Sequence, residues 1–484
     1  MNDHYYVTTS IPYVNAEPHI GFAMELLQAD VLARYNRQQG KQVIFSTGTD
    51  EHGGKIAEKA AEKKVTPQAY ADDISQRFVE MAKLVNASND RFIRTTDKAH
   101  EERAQLIWKN LKKDDIYKAK YVGWYCVGEE TFVTETEVKA NNGVCPAHNR
   151  PYDKIEEENH FFKLSGYTKR IKEAIESDTF LIVPETKRNE ILSLLESGLD
   201  DISISRPKEK IAWGIPVPGD PKQVMYVWFE ALMNYITVLG YPEHADFKTY
   251  WPADTQIVGK DIIRFHAAIW PAMLLSLGVA LPKQLYVHGF VTSEGKKMSK
   301  TLGNVIAPKD IITQYGVDAF RYYFLRHVPS YGDGDFKQEA FEAAYNNELA
   351  NELGNAVQRT AVMVQKYQDG LIGDVPIAEH DTNQYHEAIL RCQFDRALDE
   401  VWEQVRGLNQ FIDSEKPWEI AKSGDTDHLR EVLASQAGDL LQIAELLEPF
   451  LPTTAAAIKG VFAEGIIRPL DGTLFPKHDT PDTA

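Results

Sequence analysis

The sequence predicts a mixed architecture: an α/β domain on a parallel sheet, a β-rich insertion within it, and an all-α bundle after it. Three observations carry this. A strand–loop–helix–strand pattern opens the chain, short aromatic and β-branched runs alternate with turns from about Tyr121, and apolar stripes at helical spacing take over from about Phe341. With 484 residues and roughly 150 per domain, about three domains are expected.

The segment His4–Ile11 is aromatic and β-branched and reads as a buried strand. A loop follows, and then Ile20, Met24, Leu27, Val31 and Tyr35 mark one face of a helix that Gly40 ends. Val43-Ile44-Phe45 begins a second strand, which completes the unit of a parallel α/β sheet. In the β-rich stretch the runs are Tyr121–Cys126, Thr131–Thr134 and Asp201–Ser205, with turns such as Asn141-Asn142-Gly143. The α/β texture returns near Met225, with a strand at Gln256-Ile257-Val258, a helix over Ile262–Leu277 and a strand at Leu285-Tyr286-Val287. Two stripes then predict the bundle: Phe394, Leu398, Val401, Val405 and Leu408, and later Leu433, Leu440, Ile443 and Leu447.

Composition narrows the function classes. Hydrophobic residues at 43% and charged residues at 26% exclude a disordered, collagen-like or coiled-coil chain. The formal charge of −18 argues against a protein that coats nucleic acid without specificity, though a local basic patch still allows a nucleic-acid partner. The cysteines Cys126, Cys145 and Cys392 are too few and scattered for a disulfide framework, so a reducing cytoplasm is expected. The start, Met1-Asn2-Asp3-His4, lacks the basic region and apolar core of a signal peptide. The uncharged stretch between Arg264 and Lys283 contains His266, Pro271 and Gly278, and reads as a buried helix and turn, so no membrane partner is expected.

Two constellations carry chemistry. In Pro18-His19-Ile20-Gly21-Phe22, His19 stands where the first helix begins, and a helix N-terminus favours a phosphate. In Gly295-Lys296-Lys297-Met298-Ser299-Lys300-Thr301, lysines and hydroxyls crowd a loop suited to a polyphosphate. Together, in this order and at this separation, they resemble the twin ATP signatures of class I aminoacyl-tRNA synthetases. The surrounding text is similar to the methionyl-tRNA synthetase family across essentially the whole chain. The resemblance rests on Thr9-Ser10-Ile11-Pro12-Tyr13-Val14-Asn15, Gly48-Thr49-Asp50-Glu51-His52-Gly53, Trp213-Gly214-Ile215-Pro216-Val217-Pro218, Tyr226-Val227-Trp228-Phe229-Glu230-Ala231, Gly259-Lys260-Asp261-Ile262-Ile263-Arg264-Phe265-His266 and Lys416-Pro417-Trp418.

The resemblance implies a Rossmann-like catalytic domain over 1–115 and 225–285, a connective insertion over 116–224, a lysine-loop and stem-contact region over 286–340, and an anticodon-binding bundle over 341–484. It implies ATP with Mg2+, L-methionine and tRNA(Met) as ligands. By resemblance, His19, Lys297 and Lys300 act in catalysis, and ATP is bound by those residues with Gly21, Phe22, Gly259, Asp261 and Ser299. Ile11, Tyr13, Asp50, Trp228, Ala231, Tyr235, Ile262, His266 and Trp270 map onto the methionine site, and Asn355, Arg359 and Trp418 onto the anticodon site. A monomer is the implied state, since the sequence stops soon after Leu474-Phe475-Pro476.

Two departures stand out. The first signature normally ends in a second His, and Phe22 occupies that place; a phenyl ring donates no hydrogen bond, one of which is worth about 1.5–3 kcal/mol to a charged group. Cys126-Val127-Gly128-Glu129 and Cys145-Pro146-Ala147-His148 echo a family zinc knuckle in which Glu129 replaces one cysteine. Zinc on Cys126, Cys145 and His148 with Glu129 is left open, and no metal ligand is assigned. Ligases for leucine, valine or cysteine and a catalytically dead tRNA-binding paralogue are the competing readings.

Overall fold

The computed structural model describes residues 3–128, 130–146, 149–295, 306–373, 375, 377–463, 465–467 and 472–477. By contacts the chain divides into two compact units. The first comprises Met1–Pro18, Gly40–Lys83 and Ser88–Val287, and the second His19–Gln39, Leu84–Ala87 and His288–Ala484. These units cut across the segments drawn from sequence, because the helix Ile20–Gln38 groups with the C-terminal helices.

The first unit is built on six strands: β1 (His4–Thr8), β2 (Gln42–Thr49), β3 (Arg91–Arg94), β4 (Leu181–Val183), β5 (Thr255–Gly259) and β6 (Gln284–His288). Their order is β3-β2-β1-β5-β6-β4. The pairs β3–β2, β2–β1, β1–β5 and β6–β4 are parallel. Strand β5 is buried at every position, as expected for a strand covered on both faces.

The stretch 116–224 holds more than short strands. Its main ladder pairs Ile116–Cys126 antiparallel with Asp153–Phe162, in register from Ile116↔Phe162 to Tyr125↔Asp153. The second of these strands, Asp-Lys-Ile-Glu-Glu-Glu-Asn-His-Phe-Phe, is too acidic to read as a strand from its residues alone. Helices Thr168–Glu176 and Glu185–Glu196 also lie here, and β4 joins the edge of the parallel sheet. Phe162 and Ile171 from this stretch share one core with Phe229, Trp270 and Leu285, so the insertion is fused to the sheet by apolar packing.

The helix expected over Ile262–Leu277 is present but changes geometry within its length. A π-helical turn spans Phe265–Ile269, and an α-helix follows over Trp270–Leu277. Pro271 lacks an N–H, so the ladder loosens there, and such π turns are frequent at functional sites.

In the second unit the helix Ile20–Gln38 is buried nearly all round, beyond the single stripe its apolar residues suggested. Its buried carboxylates are paired. Asp30 meets Arg321 at 2.7 Å and Arg34 at 2.7 Å, and Glu25 lies 2.9 Å from His288 Nε2. The fully buried Arg321 also donates to the carbonyls of Phe450, Pro449 and Val85, which satisfies most of its fork. The two predicted stripes fall on the helices Phe394–Glu415 and Thr426–Leu447, and every stripe residue is buried. No described helix is long and apolar enough to cross a membrane.

Candidate functional site

In the first unit, the loop after β1 runs beside the residues that follow β2. Asp50 donates its N–H to Pro12 O at 2.9 Å and accepts from Val14 N–H at 3.1 Å, so the two loops continue the sheet as a bridge between Tyr13 and Asp50. The ring of Tyr13 meets Trp228 edge-on at 5.7 Å, and Trp228 stacks on Phe265 at 4.3 Å. Trp228 and Ala231 share the short helix Val227–Ala231. Behind them Tyr235 lies 5.8 Å from Trp270, and its hydroxyl is 2.7 Å from His266 Nε2. Ile262 O accepts from His266 Nδ1 at 3.0 Å, so with a neutral ring Nε2 accepts the Tyr235 proton. Both polar hydrogens of this pair are thus engaged within the protein.

Ile262 packs against the core around Trp270, and Ile11 is half-buried in the loop after β1. Trp270 is fully buried, and its indole N–H has no hydrogen-bond partner among the described residues. A weak acceptor such as a thioether sulfur suits such a donor.

Asp50 is 2% exposed. Burial and the nearby Glu230 raise its carboxyl well above the usual carboxylate range; His52 pulls the other way, and Glu130 and Glu51 add to the rise. A cationic group arriving beside Asp50 would relieve that crowding. Tyr13 is likewise pushed up, first by burial and then by Glu130 and Asp50.

Gly259 ends β5, and Gly259 O accepts from Ile262 N–H at 3.2 Å. That turn carries an exposed Asp261.

In the second unit, His19 caps the helix Ile20–Gln38: its Nδ1 accepts from Gly21 N–H at 3.0 Å. A neutral His19 with Nδ1 accepting carries its proton on Nε2. A Cβ on Gly21 would lie 2.9 Å from His19 Cε1. Phe22 is 5% exposed and belongs to the core. Lys297, Ser299 and Lys300 lie outside the described residues, as do Glu129 and His148. Cys126 and Cys145 are buried together with Val138 and Tyr152, and no group of three metal-ligating side chains occurs among the described residues.

Farther along the second unit, Asn355 and Arg359 occur on one helix, Asn355–Tyr367. The Arg359 guanidinium sits over the Trp418 ring at 5.6 Å and bonds Asp413 at 2.9 Å. Asn355 is exposed, while Arg359 and Trp418 are half-buried.

Sequence reasoning did not single out several polar groups at the site. Glu130, 3% exposed and with a backbone φ of 51°, accepts from Tyr13 OH at 3.2 Å and from Lys55 N–H at 2.6 Å. Gly53 has a φ of +113°, which strains any other residue, and a Cβ on it would lie 2.3 Å from Glu130 Oε2. Arg206 grips Glu157 through two bonds of 2.8 and 2.9 Å and covers Tyr125 at 4.1 Å. Glu230 is fully buried between His52 and His100. One signal was available: Glu230 is a lone charge inside the apolar run Tyr226–Ala231.

A family model described as "tRNA synthetases class I (M)" matches residues 5–155 and 147–361, which sets the class: a class I tRNA synthetase. The methionine–tRNA ligase of Caldanaerobacter subterraneus subsp. tengcongensis is 43% identical over 469 residues, covering 94% of this chain and 73% of that protein. That of Thermosynechococcus vestitus is 41% identical over 482 residues, covering 95% and 90%. Among solved structures, Mycobacterium tuberculosis methionyl-tRNA synthetase in complex with methionyl-adenylate superposes with a TM-score of 0.92 at 38% identity, covering 98% of this chain and 99% of that one. The chain belongs to the methionine–tRNA ligase family.

Proposed function

We propose that this chain runs the two-step methionine–tRNA ligase reaction with the residues gathered above. L-Methionine and ATP give methionyl-adenylate and pyrophosphate, and the methionyl group then passes to the 3′ end of tRNA(Met). The methionine carboxylate is already an anionic nucleophile, so the first step needs no general base. Catalysis is then positioning and stabilisation of phosphate charge.

In this reading Asp50 binds the substrate ammonium. Tyr13, Trp228, Ala231, Tyr235, Ile262, His266 and Trp270 enclose the side chain, with Ile11 at its margin. The observation that carries the reading is a buried carboxylate crowded by other carboxylates, joined through the Tyr13 bridge to an aromatic wall. The unpartnered indole N–H of Trp270 supports a sulfur-bearing guest. Gly259 and Asp261 serve the adenosine ribose. His19 serves the phosphates, and Lys297 and Lys300, with Ser299, neutralise the triphosphate, which arrives with Mg2+. Gly21 lets the His19 ring fold back, and Phe22 supports the helix start from within the core. Asn355, Arg359 and Trp418 read the anticodon, the Trp by stacking and the others by hydrogen bonds to base edges. A cytoplasmic place follows from these substrates.

Pyrophosphate exchange into ATP, measured with each amino acid in turn, tests the reading. Exchange is expected with methionine. Exchange with leucine, valine or cysteine in its place, or with no amino acid at all, would overturn it.

A further inference from the structure

Four side chains that the roles above leave unused form one buried chain in the first unit. Glu230 Oε1 is 2.8 Å from His52 Nδ1, and Oε2 is 3.0 Å from His100 Nε2. His100 Nδ1 lies 2.8 Å from Thr237 Oγ1. All four side chains are buried.

The links fall on the elements that carry the pocket. His52 follows Asp50 by two residues. Glu230 stands between Trp228 and Ala231 in the helix Val227–Ala231, and Thr237 closes the helix Asn234–Thr237 that carries Tyr235. His100 comes from the helix Lys98–Asn110, which holds no pocket residue. Burial opposes the charge on Glu230, yet His52 and His100 hold its carboxyl below the usual range. Burial likewise opposes the proton on His52, yet Glu230 and Glu101 push it up to about 10. A buried ion pair of this kind adds little net stability over an apolar replacement, so stability is a poor reason for it. Fully bonded polar networks do rigidify the elements they join.

We propose that Glu230 is a positioning residue for amino-acid selection: through His52 and His100 it fixes the spacing between the Asp50 carboxylate and the wall of Trp228, Ala231 and Tyr235. The proposal rests on the pocket reading given above. A fixed spacing is what discrimination by chain length needs, since one methylene is worth roughly 10–200-fold and a misplacement of about 1 Å costs on the order of 100-fold.

The experiment compares kcat/KM for methionine with that for S-methylcysteine, one methylene shorter, in pyrophosphate exchange. The ratio does not depend on how much of a variant is folded. Glu230→Gln is expected to lower it about ten-fold while KM for ATP stays within about two-fold. Thr237→Val, a gentler change at the far link, is expected to lower it about two- to three-fold and decides the matter if Glu230→Gln does not fold. An unchanged ratio, or a KM for ATP that rises as far as that for methionine, overturns the proposal. Asp50→Asn separates the two readings. A raised KM for methionine there with an unchanged ratio in Glu230→Gln removes the positioning role alone, whereas an unchanged KM there removes the pocket and the proposal with it.

Discussion

In the proposed reading, the amino-acid pocket and the Arg359–Trp418 patch solve opposite recognition problems. Around Asp50 the polar groups are buried, and Glu230, His52 and Glu130 are each held by fixed partners. At Trp418 the ring is half-buried, and its neighbour Arg359 bonds the exposed Asp413. A small guest that differs from its rivals by one methylene needs walls that do not move. An unpaired base in a loop needs a flat ring and adaptable donors at the surface. Burial also makes the first site costly to build, because desolvated carboxylates crowd one another there.

The sharpest way to break this contrast is at Asp50. Asp50→Asn should lower kcat/KM for methionine in pyrophosphate exchange by roughly ten- to a hundred-fold, the worth of one hydrogen bond between charged groups. Trp418→Ala should leave exchange intact and lower aminoacylation of tRNA(Met) by roughly ten-fold or more, the value of one stacked base. Equal loss in both assays would make Trp418 a packing residue.

Phe22→His restores the second His of the first signature, yet the position is inside the core. The expected result is no gain in exchange and a loss of about 1–3 kcal/mol in unfolding stability, because a polar imidazole replaces a phenyl ring in the core. A rise in exchange would show that the position reaches ATP.

The same electrostatics makes a pH prediction. The folded state raises the Asp50 carboxyl above its unfolded value, so its contribution to stability is present at low pH and fades as pH rises through the folded value. Asp50→Asn should therefore have a higher Tm than the parent protein at pH 8 and a smaller advantage at pH 5. An advantage that does not grow with pH would contradict the crowding. The smallest effect is expected at the exposed pair: Asp413→Asn should change KM for tRNA(Met) by no more than about two-fold.

Much of the fold was legible because its elements obey simple periods. The stripes on Phe394–Glu415 and Thr426–Leu447 are buried as their spacing implied, and β1, β2 and β5 lie where their β-branched runs stand. What escaped is structure decided by partners. Asp153–Phe162 is a strand only because Ile116–Cys126 lies beside it. The polar face of Ile20–Gln38 is buried because Arg321 and His288 reach it from far along the chain. At the site, motif resemblance named candidate pocket residues, and the structure places Tyr13 against Trp228 and Tyr235 against His266 and Trp270. It gave no role to Glu230, His100 or Glu130, whose partners only folding supplies. Nor did it reveal that Phe22 turns into the core.

The central claim is that the buried carboxylate of Asp50 recognises the amino group of methionine. Calorimetric titration with methionine and with 4-(methylthio)butanoate, which lacks only that amino group, tests it directly. The parent protein should bind methionine at least about ten-fold more tightly, and Asp50→Asn should lose most of that preference. Equal affinity of the parent protein for the two ligands, or an undiminished preference in Asp50→Asn, would contradict the account.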